Sequence, residues 1–292
     1  MQSMFLNIAF QAEISRYEDE EFQEVAKRNC HEDPSTRGKA IEELRNLIFE
    51  RGICNPRRID DAYLLRFLRC RWFIPALAHK LMYRYENFAK TYAYLYDCDP
   101  FKLDKVEDIC LGGLPESPVN GRITFMRLGR WNIDAVPIVD VVRCALFMDE
   151  MAAMQPKLQI LGVTIIVDLE GLSIRHIRHL TPTIAYQMVS LMGVSFPLLT
   201  HCLHIINYSW YLNTFFYVFK QFIPRAAWQK LYFHGSDLSS LHEHIHPQYL
   251  PPQYGGTCRN VILLEQWIRN INKYKDDYTV KELRALGFTI ES

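Results

Sequence analysis

From His179 to Phe219 the chain runs 41 residues without an Asp, Glu, Lys or Arg, in a protein of 292 residues of which 23% are charged. Ordinary surface does not read this way. A membrane span needs about 18 or more predominantly apolar residues. Here Pro182, Gln187, Pro197, His201, His204, Asn207 and Asn213 interrupt the run, and such groups sit badly in hydrocarbon. The stretch is therefore either a filled α/β core or the boundary of a large apolar space.

Its last part sharpens the question. At 3.6 residues per turn, Tyr208, Leu212, Phe215, Phe219 and Phe222 fall on one stripe of a helix over 208–223, flanked by Phe216 and Ile223. The other face, Asn213, Thr214, Tyr217 and Lys220, is mild rather than charged. Such a helix covers something large and apolar, either more protein or a lipophilic ligand. Removing about 500 Å² of ligand hydrocarbon from water yields on the order of 12 kcal/mol before association is charged against it. A water-insoluble molecule would need no ion pair to be held. An enclosed ligand exchanges only if some element moves, and the aromatic helix is the candidate.

The rest of the chain supplies the frame. Thr36–Glu50 carries Ile41, Leu44, Leu47 and Ile48 at helical spacing with Gly52 as a stop; a second helix starts near Asp60 and Asp61 and buries Leu64, Leu65, Phe67 and Leu68. A third runs through Leu81, Tyr85 and Phe88, and the short turns between them predict a small bundle. After Pro100, strand-like segments at 123–127, 161–167, 202–206 and 231–233 alternate with helical ones at 136–154 and 181–192. The expectation is an α/β protein: a helical amino-terminal cap over 1–99, a mostly parallel sheet with crossover helices over 100–257, and a helical tail over 258–292, with helix-like 261–271 and 280–286.

Charge and chemistry exclude several classes. Thirty-three basic residues balance thirty-three acidic ones, so no global field draws the chain to nucleic acid or to an acidic surface. Eight cysteines without a CxxC read as free thiols of a reducing compartment. The opening MQSMFLNIAF is interrupted by Asn7 and has no basic residue before it, unlike a signal peptide. A cytoplasmic protein is expected. No GxGxxG, GxxxxGK[ST] or GxSxG occurs, and no cofactor is assigned. His234, His242, His244 and His246 lack a completing metal-ligand pattern and read as solvated turn and helix-end residues. Asp168 and Glu170 end a strand where α/β enzymes often keep catalytic groups. Arg66, Arg69 and Arg71 either pair with neighbouring acids or bind an anion.

Four segments carry a family signature: LLRFLRCR at 64–71, IIVDLEG at 165–171, LHIIN at 203–207 and LPPQYGG at 250–256. Together they resemble the CRAL-TRIO lipid-binding family over roughly residues 40–260, and most resemble its tocopherol and retinaldehyde carriers. The resemblance implies a helical cap, a lipid-exchange domain whose sheet floors a hydrophobic cavity, a mobile helix as lid, and a carrier without catalytic chemistry. It makes Val142, Ala145, Asp149, Val163, Ile165, Val167, Leu180, Met188, Leu191 and Met192 the ligand positions, and Leu212, Phe215, Phe216 and Phe219 the lid. Ala145 and Asp149 stand where the tocopherol carrier has serines near its ligand's polar head. Of four basic residues that grip a phosphoinositide there, Arg69 and Lys230 match, Leu199 and Ala226 replace the others, and Arg225 is adjacent. Glu170 and Asp168 become structural. The expected partners are a small hydrophobic lipid and a transiently contacted membrane that includes phosphoinositide. The alternative is an adaptor that uses the same fold to dock on membrane or protein, its interior filled by its own aromatic side chains.

Overall fold

The computed structural model describes residues 20–103, 106, 109–113, 116–208, 216 and 219–291. Its main helices are α1 (Gln23–Cys30), α2 (Pro34–Arg51), α3 (Asp61–Arg69), α4 (Pro75–Thr91), α5 (Ile138–Met154), α6 (Pro156–Leu161), α7 (Pro182–Val189), α8 (Leu264–Tyr274) and α9 (Asp277–Leu286). The strands are β1 (Cys110–Gly113), β2 (Arg122–Arg127), β3 (Val163–Asp168), β4 (Thr200–Ile206), β5 (Leu231–Gly235) and β6 (Val261–Leu263).

Local chemistry sets the helix ends. Asp33 accepts the Ser35 backbone N–H at 2.8 Å ahead of Pro34, and α2 stops at Gly52, whose φ of +59° is left-handed. Asp60 caps α3 through the Tyr63 N–H at 3.2 Å, and Pro75 opens α4. Two sequence expectations are corrected. Residues 261–271 are not one helix: Val261–Leu263 is an edge strand and α8 starts only at Leu264. The helix expected over 181–192 ends at Val189 and passes into a wider π-type turn over Ser190–Val194.

The chain divides into two compact units. One combines the residues up to Tyr94 with Phe147–Gly162 and Ser190–Leu199. Its interior is aromatic: the Tyr85 ring meets Phe67 at 5.7 Å and Phe196 at 5.2 Å edge to face, and Phe88 meets Phe196 at 5.3 Å. Such rings bury large area, and Leu64, Phe67 and Leu68 between them have no exposed surface.

The other unit holds Leu95–Leu146, Val163–Val189 and Thr200 onward. Its six strands form one sheet in the order β5-β4-β3-β2-β1-β6. Strands β2 to β5 pair in parallel, whereas β1 runs antiparallel to both β2 and β6. This is the mostly parallel sheet the sequence predicts, with an antiparallel margin that it does not. One carboxylate ties the sheet together. Asp168 at the end of β3 accepts the Asn207 side-chain N–H, the Tyr254 hydroxyl and the Glu170 backbone N–H, each at 2.9 Å. Three of the four signature segments thus meet at one side chain, where Asp168 serves structure and Glu170 takes part through its backbone. Among the described residues no helix is long and apolar enough to cross a membrane.

Candidate functional site

The two faces of the sheet differ in a way that matters for function. Register aligns Phe125, Ile166, His204 and Tyr232 across β2 to β5 on one face. There Ile123, Phe125, Ile166 and Ile206 join Leu241, Ile245, Leu250 and Tyr254 in a filled core, with the Phe125 and Tyr254 rings stacked at 4.7 Å. The opposite face carries Thr124 and Met126, then Val163, Ile165 and Val167, then Leu203 and Ile205, then Leu231 and Phe233. On β3 the packed face is sealed, with Thr164 and Ile166 at 0%. Val163, Ile165 and Val167 keep 8%, 7% and 7%. Thr124, Met126, Leu203 and Leu231 on the same face are only half-buried. Over β2 to β4 the sheet is thus packed on one side; on the other its apolar side chains are buried on β3 and at Ile205 but only partly covered at Thr124, Met126, Leu203 and Leu231.

Aromatic residues from the uncharged run reach this face at its β5 edge. Phe233 is 43% exposed; its ring meets Phe216 at 4.9 Å and Tyr208 at 5.8 Å, both edge to face. Phe216 continues to Trp228 at 6.1 Å, and Phe222 meets Tyr186 of α7 at 5.6 Å. Phe216 and Phe219 are helical and half-buried. Leu212 and Phe215, the other positions expected to form a lid, and the amino-terminal decapeptide lie outside the described residues.

Helix α5 carries three of the expected ligand positions. Val142 is packed away, but Ala145, Met148, Asp149 and Ala152, spaced by three and four, form one stripe that keeps accessible surface between buried neighbours. Asp149 is half-buried; burial, with a smaller contribution from neighbouring Glu150, holds its carboxyl well above the usual carboxylate range. It makes no hydrogen bond or ion pair among the described residues. Glu150, by contrast, accepts the Tyr85 hydroxyl at 2.8 Å. Leu180 and Met188 flank and sit in α7, and both are buried; Leu191 is buried and Met192 half-buried in the π-type turn.

The cations divide. Arg69 is not a surface anion ligand: it is 1% exposed, with Nε and Nη2 on the two Glu32 oxygens at 2.8 and 3.1 Å and Nη1 on Gln159 Oε1 at 2.8 Å. Its fork is used to neutralise a buried carboxylate. Arg225 is exposed, and Lys230 is half-buried with Nζ donating to the Thr200 carbonyl at 2.9 Å. Leu199 is buried and Ala226 exposed.

One histidine departs from expectation; His244 and His246 are exposed and His242 ends a short helix, as expected. His234 is buried, its Nε2 lying 2.9 Å from Nδ1 of buried His204 and its Nδ1 2.7 Å from Ser240 Oγ. Burial, then His234 and His244, push His204 down to about 3. The pairing is invisible in sequence because His204 lies on a different strand, and only the parallel register joins them. No group of three or more His, Cys, Asp or Glu among the described residues is arranged to hold a metal ion. The buried thiols are poor nucleophiles: burial pushes Cys30 up to about 12 and Cys70 to about 11.

A mostly parallel sheet, packed on one side and lined on the other by apolar residues that the Tyr208 and Phe216 rings reach at the β5 edge, defines an α/β fold built around apolar surface. Comparison with known proteins agrees. The CRAL/TRIO domain family matches residues 118–256. Clavesin-1 of Rattus norvegicus is 30% identical over 244 residues, covering 80% of this chain and 68% of that protein. Clavesin-2 of Homo sapiens is 28% identical over 261 residues, covering 87% and 80%. The crystal structure of Sfh5 shares the fold with a TM-score of 0.53 at 14% identity, covering 87% of this chain and 97% of that one. The chain belongs to the CRAL-TRIO family of lipid-binding proteins.

Proposed function

We propose that the protein is a cytoplasmic carrier that binds one hydrophobic lipid of tocopherol, retinoid or other isoprenoid-like kind, and passes it between membranes without catalysing a reaction. The observation that carries this reading is the asymmetry of the sheet: a strand sealed on one face and apolar but incompletely covered on the other is what a floor for a greasy ligand requires. The aromatic segment around Phe216 and Phe219 is the lid. The ligand contacts are drawn from Val142, Ala145, Asp149, Val163, Ile165, Val167, Leu180, Met188, Leu191 and Met192. Phosphoinositide contact, if made through the family positions, falls to Arg225 and Lys230, because Arg69 is committed to Glu32.

The test is extraction of the purified protein with organic solvent and mass spectrometry of what it releases, followed by transfer of a fluorescent lipid between vesicles. One bound lipid per chain is expected. Phe219→Asp should slow transfer at least tenfold with little change in unfolding free energy, since a charge on the lid opposes its contact with hydrocarbon. An empty extract together with no uptake would sink the carrier reading and favour the adaptor.

A further inference from the structure

Helix α4 turns outward a face that neither the aromatic interior of its unit nor the proposed lipid site uses. Lys80, Arg84, Asn87 and Thr91 recur at spacings of four, three and four, so they form one stripe, flanked by Tyr83 and Lys90, and all six are exposed. Lys80, Arg84 and Lys90 make no hydrogen bond or ion pair among the described residues. The one acid between Arg71 and Tyr96 is Glu86, which is half-buried and accepts the Tyr63 hydroxyl at 3.0 Å. A chain with no net formal charge thus carries a helix face with three cations and no exposed acid among them.

Apolar residues lead into this stripe. In the turn before α4, Trp72 and Ile74 are 40% and 44% exposed. The turn is fixed: Trp72 and Phe73 take left-handed φ of +53° and +52°, and the Phe73 N–H donates to the Leu68 carbonyl at 2.9 Å. The Arg71 guanidinium donates to the Cys70 and Gly193 carbonyls at 2.8 and 2.9 Å. Bulky residues adopt such a backbone only where their surroundings impose it. An indole and a branched alkyl group are thereby held at the surface, at one end of a basic stripe.

We infer that this face, from Trp72 to Lys90, docks the protein on a bilayer rich in anionic phospholipid. Lipid phosphates and carboxylates complement the cations, while tryptophan and tyrosine rings suit the headgroup level. Each Lys or Arg close to such a surface strengthens binding about fivefold, so three supply on the order of a hundredfold. The attraction reaches only about 8 Å at physiological salt, so a molecule without net charge can still have a charged landing surface. What is recognised is surface charge, not one head group. The face is separate from the lid, and its role holds whether or not the interior carries lipid.

The experiment sediments the full chain with vesicles of pure phosphatidylcholine and with vesicles of equimolar phosphatidylcholine and phosphatidylserine. The wild type should partition at least about tenfold more strongly into the anionic vesicles, by an excess that shrinks as salt is raised. Combining Lys80→Ala, Arg84→Ala and Lys90→Ala should weaken anionic binding at least about tenfold and leave the melting temperature unchanged, since these side chains have no partner to lose. Replacing exposed Arg259, Lys273 and Lys281 by Ala alters net charge equally and should keep binding within about twofold. Brominated phosphatidylcholine in the anionic vesicles should quench tryptophan fluorescence, and Trp72→Phe should remove about half of that quenching or more. No binding to anionic vesicles, equal binding to neutral ones, full binding by the α4 variant, equal loss in both triple variants or undiminished quenching in Trp72→Phe each overturns the inference. Binding of polyglutamate without binding of vesicles overturns it too, and assigns the face to an acidic protein.

Discussion

Single side chains in this protein hold charge where water cannot reach. Arg69 and Glu32 form a buried pair, with Arg37 also 3.1 Å from Glu32. Removing one member of such a pair strands the other. Arg69→Ala should lower unfolding free energy by about 3 kcal/mol, the low end for a broken buried pair because Arg37 remains. Urea denaturation measures this, and Arg225→Ala should stay within about 0.5 kcal/mol of the wild type. Asp149 has the opposite consequence. Its folded-state pKa lies above the ordinary 3.8, so above that pH the native state binds more protons than the unfolded chain and stability declines as pH rises towards the folded value. Asp149→Asn should therefore be more stable than wild type at pH 8, and the two urea midpoints should converge as pH falls to about 4. A gap that widens on acidification would contradict a buried neutral acid.

Elements meet at points that tolerate little change. Asp168 satisfies donors from three segments, and Asp168→Ala would leave those donors seeking water; about 2–4 kcal/mol of stability should be lost in chemical denaturation. Gly256 is as constrained, since a Cβ there would overlap the carbonyl oxygens of Leu250 and Pro247. Gly256→Ala should destabilise by a similar amount because backbone, not a flexible side chain, must shift. Much of this architecture was legible in sequence. Asp33 with Pro34, Asp60, Pro75 and Gly52 mark helix ends by local chemistry, and the alternation of Val163, Ile165 and Val167 marks one face of a strand. What was not legible depends on long-range partners. Strand β1 is CLGG, too short and glycine-rich to announce itself, and Val261–Leu263 runs directly into the periodic face of α8. Every residue of β3 is buried, so sequence cannot say which face is the more completely covered. The uncharged run is consistent with either a core or a cavity boundary, and only the coverage of each face separates them. Sequence leaves Arg69 open between pairing with an acid and binding an anion, because its partner Glu32 is remote in the chain.

The molecule as a whole has no net formal charge, with 33 basic and 33 acidic residues, so its approach to a membrane owes little to long-range attraction. A carrier that encloses its ligand should also be stabilised by it. At free lipid one hundred times the dissociation constant, the gain is about 2.7 kcal/mol, and the loaded protein should melt several degrees above the emptied one in calorimetry. Equal melting temperatures across a titration of the lipid found in the extract would count against enclosure. The carboxylate at the end of β3 has a further consequence, for how the molecule is made. Its Tyr254 partner, and the strand β6 that pairs with β1, leave the ribosome after the other five strands. During synthesis the greasy side of the sheet is already present while the corner that locks it is not, an interval in which a nascent chain is open to misassembly. A chain cut just before Leu250 should remain in that state, bind a hydrophobic dye and fail to refold, even though every residue proposed to touch lipid is still in it.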